Sequence, residues 1–178
     1  MIYSPSEDSY LLSSVLKKLC KNKSVLDIGS GSGIQAETAM KSGCSTILTT
    51  DINPESIALL KKKNLPTILS DLFSNLSKSQ KFDIIVFNPP YLPLDNKEPK
   101  ESRLATTGGK QGDEIILKFL KQAPPYLTQK GFILLLTSSL TPKERINKLL
   151  SSLSLKKSLL AKKKLFMESL HVWKIQNA

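Results

Sequence analysis

The sequence is poor in the residues that would suggest secretion, metal binding or membrane insertion. Its 178 residues include two cysteines, Cys20 and Cys44, and one histidine, His171. The cysteines form no Cys-x-x-Cys pair and have no histidine beside them, so neither a disulfide framework nor a metal site is indicated. A reduced, cytoplasmic chain fits best. There is no run of about eighteen apolar residues to span a bilayer, and the opening "MIYSPSEDSY" lacks the basic-then-apolar pattern of a signal peptide. Arginine is scarce too: Arg103 and Arg145 are the only two among 26 Lys plus Arg. Specific base and phosphate readout favours arginine's planar fork, so the lysine excess behind the net charge of +11 signals diffuse attraction to polyanions. Lys156-Lys157 and Lys162-Lys163-Lys164 form a solvated face on the plainest reading. On a functional reading they suit work near RNA, such as ribosomal components.

The length suits one domain with a substantial core, spanning 1–178. Strand-like and helix-like runs alternate. Strands are expected at Ser24–Ile28, Thr46–Thr50, Thr67–Ser70, Phe82–Phe87 and Phe132–Thr137. Helices are expected at Gln35–Lys41, at Pro54–Lys63 behind an Asn53-Pro54 start signal, at Asp113–Leu120, and after Thr141-Pro142. The tail "SLHVWKI" alternates like an outer strand. Such alternation predicts an α/β fold, a mostly parallel sheet with helices on both faces, and ligand binding at the carboxyl ends of the strands.

At the first of those ends stands "VLDIGSGSGI". Gly29, Gly31 and Gly33 allow close backbone approach to a ligand and a sharp turn into a helix. A nicotinamide fingerprint would want its third glycine at position 34, where Ile34 stands. The Asp-x-Gly-x-Gly-x-Gly pattern instead resembles the cofactor loop of class I S-adenosylmethionine methyltransferases. Asp51, about twenty residues on, ends the second strand where a carboxylate can accept ribose hydroxyls. Asp71 follows the third strand, placed to accept from an adenine amine with Leu72 against the ring. Each acid alone could be a loop residue or a helix cap; with Asp27, three successive strands end near one.

The fourth strand ends in Asn88-Pro89-Pro90-Tyr91. A plain strand stop needs one proline and no particular neighbours. A planar NH2 group has its lone pair delocalised, and methylation makes the nitrogen tetrahedral and positive. Acceptors on its two N–H bonds stabilise that charge. The Asn88 side-chain oxygen and the Pro89 carbonyl, held by the restricted Pro-Pro backbone, can be those acceptors. Tyr91 offers a flat face to the target plane. No strong base is needed, because the nitrogen turns acidic only once methylated. The motif resembles that of amino-methyltransferases acting on adenine, cytosine or glutamine nitrogens.

Two further stretches, "YSPSEDSYLL" (3–12) and "ATTGGKQGDEIILKF" (105–119), resemble the HemK-type release factor glutamine methyltransferases, in their short eukaryotic and archaeal branch. The likeness runs through to "ESLHVWKI". It implies a Rossmann-like class I methyltransferase fold, a seven-stranded sheet with an antiparallel C-terminal strand. It implies S-adenosylmethionine as cofactor and the glutamine of a release factor's Gly-Gly-Gln tip as substrate. It places Ser9 (threonine in many relatives), Asp27, Gly29, Gly31, Asp51, Asp71, Leu72 and Asn88 at the cofactor. It places Asn88, Pro89, Pro90 and Tyr91 at the substrate, with Asn88, Pro89 and Tyr91 catalytic. It also implies a small zinc-binding activator protein as heterodimer partner, covering an apolar strip for which Ile57, Leu60, Leu65 and Ile68 are candidates. Plainer accounts exist: Ser4-Pro5-Ser6-Glu7 reads as a capping box, and 94–112 as a connecting loop, although long loops beside an active site are commonly functional.

Three other functions compete. An adenine or guanine amino-methyltransferase acting on RNA or DNA would keep the chemistry and suit the basic charge, but no residues remain for a DNA-recognition domain. A catalytically silent cofactor-fold protein binding a translation partner would not need an intact Asn-Pro-Pro-Tyr. A nicotinamide enzyme is opposed by Ile34. His171 and Trp173 read as structural, and Cys44 has no base partner in sequence.

Overall fold

A computed structural model describes residues 2–91 and 107–178. In chain order the elements are α1 (Glu7–Leu19), β1 (Ser24–Ile28), α2 (Ile34–Lys41), β2 (Thr46–Asp51), α3 (Pro54–Lys62), β3 (Thr67–Leu69), β4 (Phe82–Phe87), α4 (Glu114–Gln122), β5 (Leu127–Ser138), α5 (Glu144–Ser152), β6 (Leu155–Lys164) and β7 (Ser169–Asn177). The strands form one sheet in the order β3-β2-β1-β4-β5-β7-β6. β3, β2, β1, β4 and β5 run parallel, and β7 is antiparallel to both β5 and β6. The expected architecture is present, and the strand order reverses between β1 and β4, which marks the ligand crevice of such sheets.

Strand periodicity assigns the two faces. Leu26, Ile28, Ile85, Phe87, Ile133 and Leu135 pack with Ile116, Phe119 and Leu120 of α4 and Ile146 and Leu150 of α5. Val25, Ile84, Val86, Leu134 and Leu136 pack with Leu12, Val15 and Leu16 of α1. Both sets are buried, as a parallel sheet covered on both sides requires. Val86 and Asn88 share a parity, so Asn88 leaves the sheet on the α1 side. Phe87 points the other way and packs against Phe119 with the rings tilted by 35° and their centroids 4.5 Å apart.

Gly33 closes α2 onto α3. Its φ is +85°, and a Cβ there would lie 2.8 Å from Leu60 Cδ2 and 3.1 Å from Leu65 Cδ1, both buried. Gly33→Ala should therefore lower unfolding stability by roughly 1–3 kcal/mol, through backbone strain and overpacking. Chemical denaturation checks this, and an unchanged midpoint would contradict the packing.

Several local readings need correction. The tail is not an outer strand: β7 lies between β5 and β6, and the lysine-rich 155–164 segment is itself the edge strand. Of β6 only Leu155 is buried, so no alternating pattern announces it. Its lysines suit an edge that resists pairing with other chains. β5 starts five residues before the expected Phe132, because Gly131 lets the strand approach the β4 backbone; a Cβ there would sit 2.8 Å from the Phe82 carbonyl oxygen. α5 starts at Glu144, not at Thr141-Pro142. Thr141 Oγ1 instead accepts from Ser138 N–H at 3.2 Å. The capping box is not formed, since Ser6 is the N-cap of α1 and makes no side-chain cap bond. The Asn53-Pro54 start signal is real: the Asn53 side chain accepts from Glu55 N–H at 3.0 Å. No helix among the described residues is long and apolar enough to cross a membrane.

Candidate active site

A cavity of about 280 Å³ opens at the carboxyl ends of β1, β2, β3 and β4. Ser9, Asp27, Gly29, Gly31, Asp51, Asp71, Leu72, Asn88, Pro89, Pro90 and Tyr91 all line it, whereas Gly33 packs against Leu60 and Leu65 instead. Four strand ends, the turn into α2 and the first turn of α1 thus converge on one space.

The glycine turn follows β1 in left-handed backbone, with φ of +62° at Gly29 and +53° at Gly31. Asp51, buried at the end of β2, fixes it from the side. One carboxylate oxygen accepts from Gly31 N–H at 2.7 Å and the other from Asn53 N–H at 2.8 Å. Burial raises the Asp51 pKa, and those backbone donors partly offset the rise. Asp27 is more deeply enclosed. Burial, with the nearby Asp51 charge adding to it, pushes its pKa up to about 7 against the lowering effect of Ser30. Its Oδ2 has no hydrogen-bond partner among the described residues. An enclosed carboxyl oxygen left without a partner at a cavity wall calls for a cationic or donor-rich ligand.

Asp71 follows β3, is exposed, and pairs with Lys118 of α4 at 2.5 Å. Leu72 beside it is buried yet holds a φ of +52°, a strained conformation for a branched side chain and one that recurs at ligand sites.

Asn88-Pro89-Pro90-Tyr91 forms the wall next to the glycine turn, at the end of the neighbouring strand β4. Asn88 Nδ2 donates to Asp8 Oδ2 at 3.2 Å. Its Oδ1, screened from solvent, has no partner among the described residues. Asp8 and Tyr3 were not singled out by sequence reasoning. Both line the cavity, and the Tyr3 hydroxyl donates to the two Asp8 oxygens at 3.0 and 3.1 Å. Burial and then Asp8 raise the pKa of Tyr3, and the same two causes, with Glu168, raise that of Tyr91. Gln35, also missed, ties α1 to the glycine turn by donating to the Ser9 carbonyl at 2.9 Å. Tyr3 and Asp8 lie within the 3–12 stretch, but the contacts of Asp8 with Asn88 and of Gln35 with Ser9 cross the fold and leave no local pattern.

Part of the Gly-Gly segment packs on this wall. A Cβ on Gly108 would lie 2.6 Å from the Pro90 carbonyl oxygen. Glu114 accepts from Gln111 and Gly112 N–H, each at 3.1 Å, and Arg145 forms a 3.0 Å ion pair with buried Asp113. The rest of the 94–112 loop, residues 94–106, lies outside the described residues. The apolar strip is corrected: Leu60 and Leu65 pack against Ala36 in the core and Ile57 is buried as well. The exposed apolar residues at that edge are Ile52 and Leu69. His171 is buried in β7 beside Trp173, away from the cavity.

Sheet order, glycine turn and the Asn-Pro-Pro-Tyr wall together define a Rossmann-like methyltransferase. A solved structure with the same fold is the E. cuniculi Mtq2 protein in its complex with Trm112, described as responsible for methylation of the eRF1 translation termination factor. It matches with a TM-score of 0.80 and 25% identity, covering 99% of each chain. The methyltransferase small domain family matches residues 6–167, and the chain belongs to it. The chain also has relatives with curated names. One is the "Putative protein N5-glutamine methyltransferase MJ0928" of Methanocaldococcus jannaschii, 45% identical over 83% of this chain and 78% of the relative. Another is human methyltransferase HEMK2, 29% identical over 97% and 88%.

Proposed function

We propose that this chain transfers a methyl group from S-adenosylmethionine to the side-chain amide nitrogen of a glutamine, in the Gly-Gly-Gln tip of a class I release factor. The observation that carries the reading is the Asn88 amide oxygen, without a partner among the described residues, at the end of β4 beside the glycine turn that ends β1. It is an acceptor awaiting a donor. Membership of a family with named glutamine methyltransferases, and the likeness to the Mtq2 structure, select an amide over a nucleobase amine.

The cavity fits the cofactor through its own chemistry. Asp51 would accept the ribose hydroxyls while holding the glycine turn. Asp71 and Leu72 would meet the adenine, and Asp27 with Gly29 and Ser9 the methionine end. When bound, the cofactor supplies a methyl group on a cationic sulfur. Asn88 Oδ1 and the Pro89 carbonyl accept the two N–H bonds of the target amide. Tyr91 stacks on its plane, and Pro90 keeps the two acceptors in fixed relation. Each charge-assisted hydrogen bond of about 1.5–3 kcal/mol strengthens as the nitrogen becomes positive, so the pair favours the transition state over the ground state. The raised pKa of Tyr91 keeps its hydroxyl protonated, so it is not the group that takes up the released proton.

Asp27 sets a pH dependence. Its pKa in the ligand-free protein is about 7. The cationic methionine end favours the carboxylate, so donor binding below that pH must first remove a proton. Donor affinity should fall by up to about tenfold per unit as the pH drops below 7. Calorimetric titration between pH 5.5 and 8.5 checks this, and a flat profile would remove Asp27 from that contact.

The small partner of the activity would sit at the β3 edge. β3 pairs on one side only, with β2, and Leu69 and Ile52 stand exposed there. A partner strand could satisfy the open backbone groups and cover both side chains. The zinc-binding nature of that partner rests on the family resemblance. Tandem mass spectrometry of a release factor incubated with this chain, labelled donor and a Trm112-type protein tests the function. One methyl on the Gly-Gly-Gln glutamine supports it; methylation of added RNA with the factor unmodified would favour the nucleobase reading.

A further inference from the structure

We propose that Asp8 is a positioning residue that makes Asn88 an obligate hydrogen-bond acceptor. This rests on the amide-transfer reading above and adds a residue to it. A carboxamide has two nearly isosteric faces, NH2 and oxygen, and nothing in its shape decides which one meets the substrate. If the NH2 face were presented to a substrate NH2, two donors would meet. At this site the choice is made by Asp8. Its carboxylate has no N–H or O–H to offer and receives Asn88 Nδ2–H at 3.2 Å. The reverse amide orientation would set Asn88 Oδ1 against a carboxylate oxygen. Asn88 therefore keeps its NH2 toward α1 and its oxygen free of partners among the described residues.

Asp8 is itself held. It is buried, its two oxygens receive the Tyr3 hydroxyl, and Ser9 Oγ donates to Oδ1 at 3.1 Å. A buried acid in the first turn of α1 also suits the positive end of a helix. The contact is possible because Asn88 continues the parity of Ile84 and Val86, which face α1. A Tyr3–Asp8–Asn88 chain thus links the opening segment to the substrate wall, giving that segment a task beyond starting a helix.

The test is a donor–acceptor exchange between the two positions. Asp8→Asn alone frees the amide to turn and should lower kcat by about 10²-fold, while donor Kd changes by less than about threefold. Asn88→Asp alone sets two carboxylates face to face and should cost at least as much. In the double variant Asp8→Asn/Asn88→Asp the carboxamide at position 8 can donate to the carboxylate at position 88, which keeps a free oxygen for the substrate. Turnover should recover at least about tenfold over either single variant. A merely structural Asp8, or one acting as a base, would give additive losses, and additivity overturns the proposal. Nuclear magnetic resonance of the Asn88 side-chain amide needs no substrate. One Nδ2 proton should be shifted downfield and slow to exchange in the wild-type chain, and lose both properties in Asp8→Asn. An unaltered resonance also overturns the proposal. A wild-type enzyme that fails to modify the release factor would sink the substrate assignment, while the amide resonance still decides the role of Asp8.

Discussion

Asn88→Ala should lower kcat by about 10²–10³-fold, with the donor dissociation constant close to that of the wild type. The substitution removes the unpaired Oδ1 that would take one N–H of the target amide. It also releases Asp8 from its bond to Nδ2. The hydrogen bond to the substrate is worth most when the nitrogen is cationic, so its loss falls on turnover more than on KM. The glycine turn is held by Asp51 and is untouched by the change. Single-turnover kinetics with calorimetric donor binding separates the two quantities. Loss of donor affinity comparable to the loss of rate would mean that Asn88 serves the cofactor and not the target.

Asp51→Ala should do the reverse. Its carboxylate accepts from Gly31 and Asn53 N–H and would take the ribose hydroxyls as well. Removing it loosens the turn and deletes the ribose contact together. Two to three charge-assisted hydrogen bonds of about 1.5–3 kcal/mol each predict a donor Kd raised by at least about 100-fold. At saturating donor kcat should fall far less. Asp51→Asn retains one carbonyl acceptor and should lie between the two. An Asp51→Ala variant with wild-type donor affinity would take the residue out of the ribose role.

What could be read in the sequence was what is local. Asp-x-Gly-x-Gly-x-Gly, the acids at strand ends and Asn-Pro-Pro-Tyr each carry their chemistry in adjacent residues, and the sheet brings all of them to one cavity. The buried parallel strands were legible as continuous apolar runs. β6 was not, because an edge strand with one buried side chain is held by backbone pairing that leaves no mark on composition. β5 was shortened because Gln129, Lys130 and Gly131 look like a turn, although Gly131 is needed for close approach to Phe82. Asp8 was illegible for a different reason. It stands 80 residues from Asn88, and only the parity of β4 and the placement of α1 bring the two together. The apolar strip at α3 failed because helical periodicity says that a face is apolar without saying what covers it; Leu60 and Leu65 are covered by this chain.

A crystal structure with S-adenosylhomocysteine and a glutamine peptide of the Gly-Gly-Gln tip tests the central claim most directly. The account predicts the glutamine amide nitrogen within about 3 Å of both Asn88 Oδ1 and the Pro89 carbonyl oxygen, with its plane against Tyr91 and the thioether sulfur in line behind it. A glutamine amide bound elsewhere, with the Asn88 oxygen still unpaired beside the thioether, would contradict it.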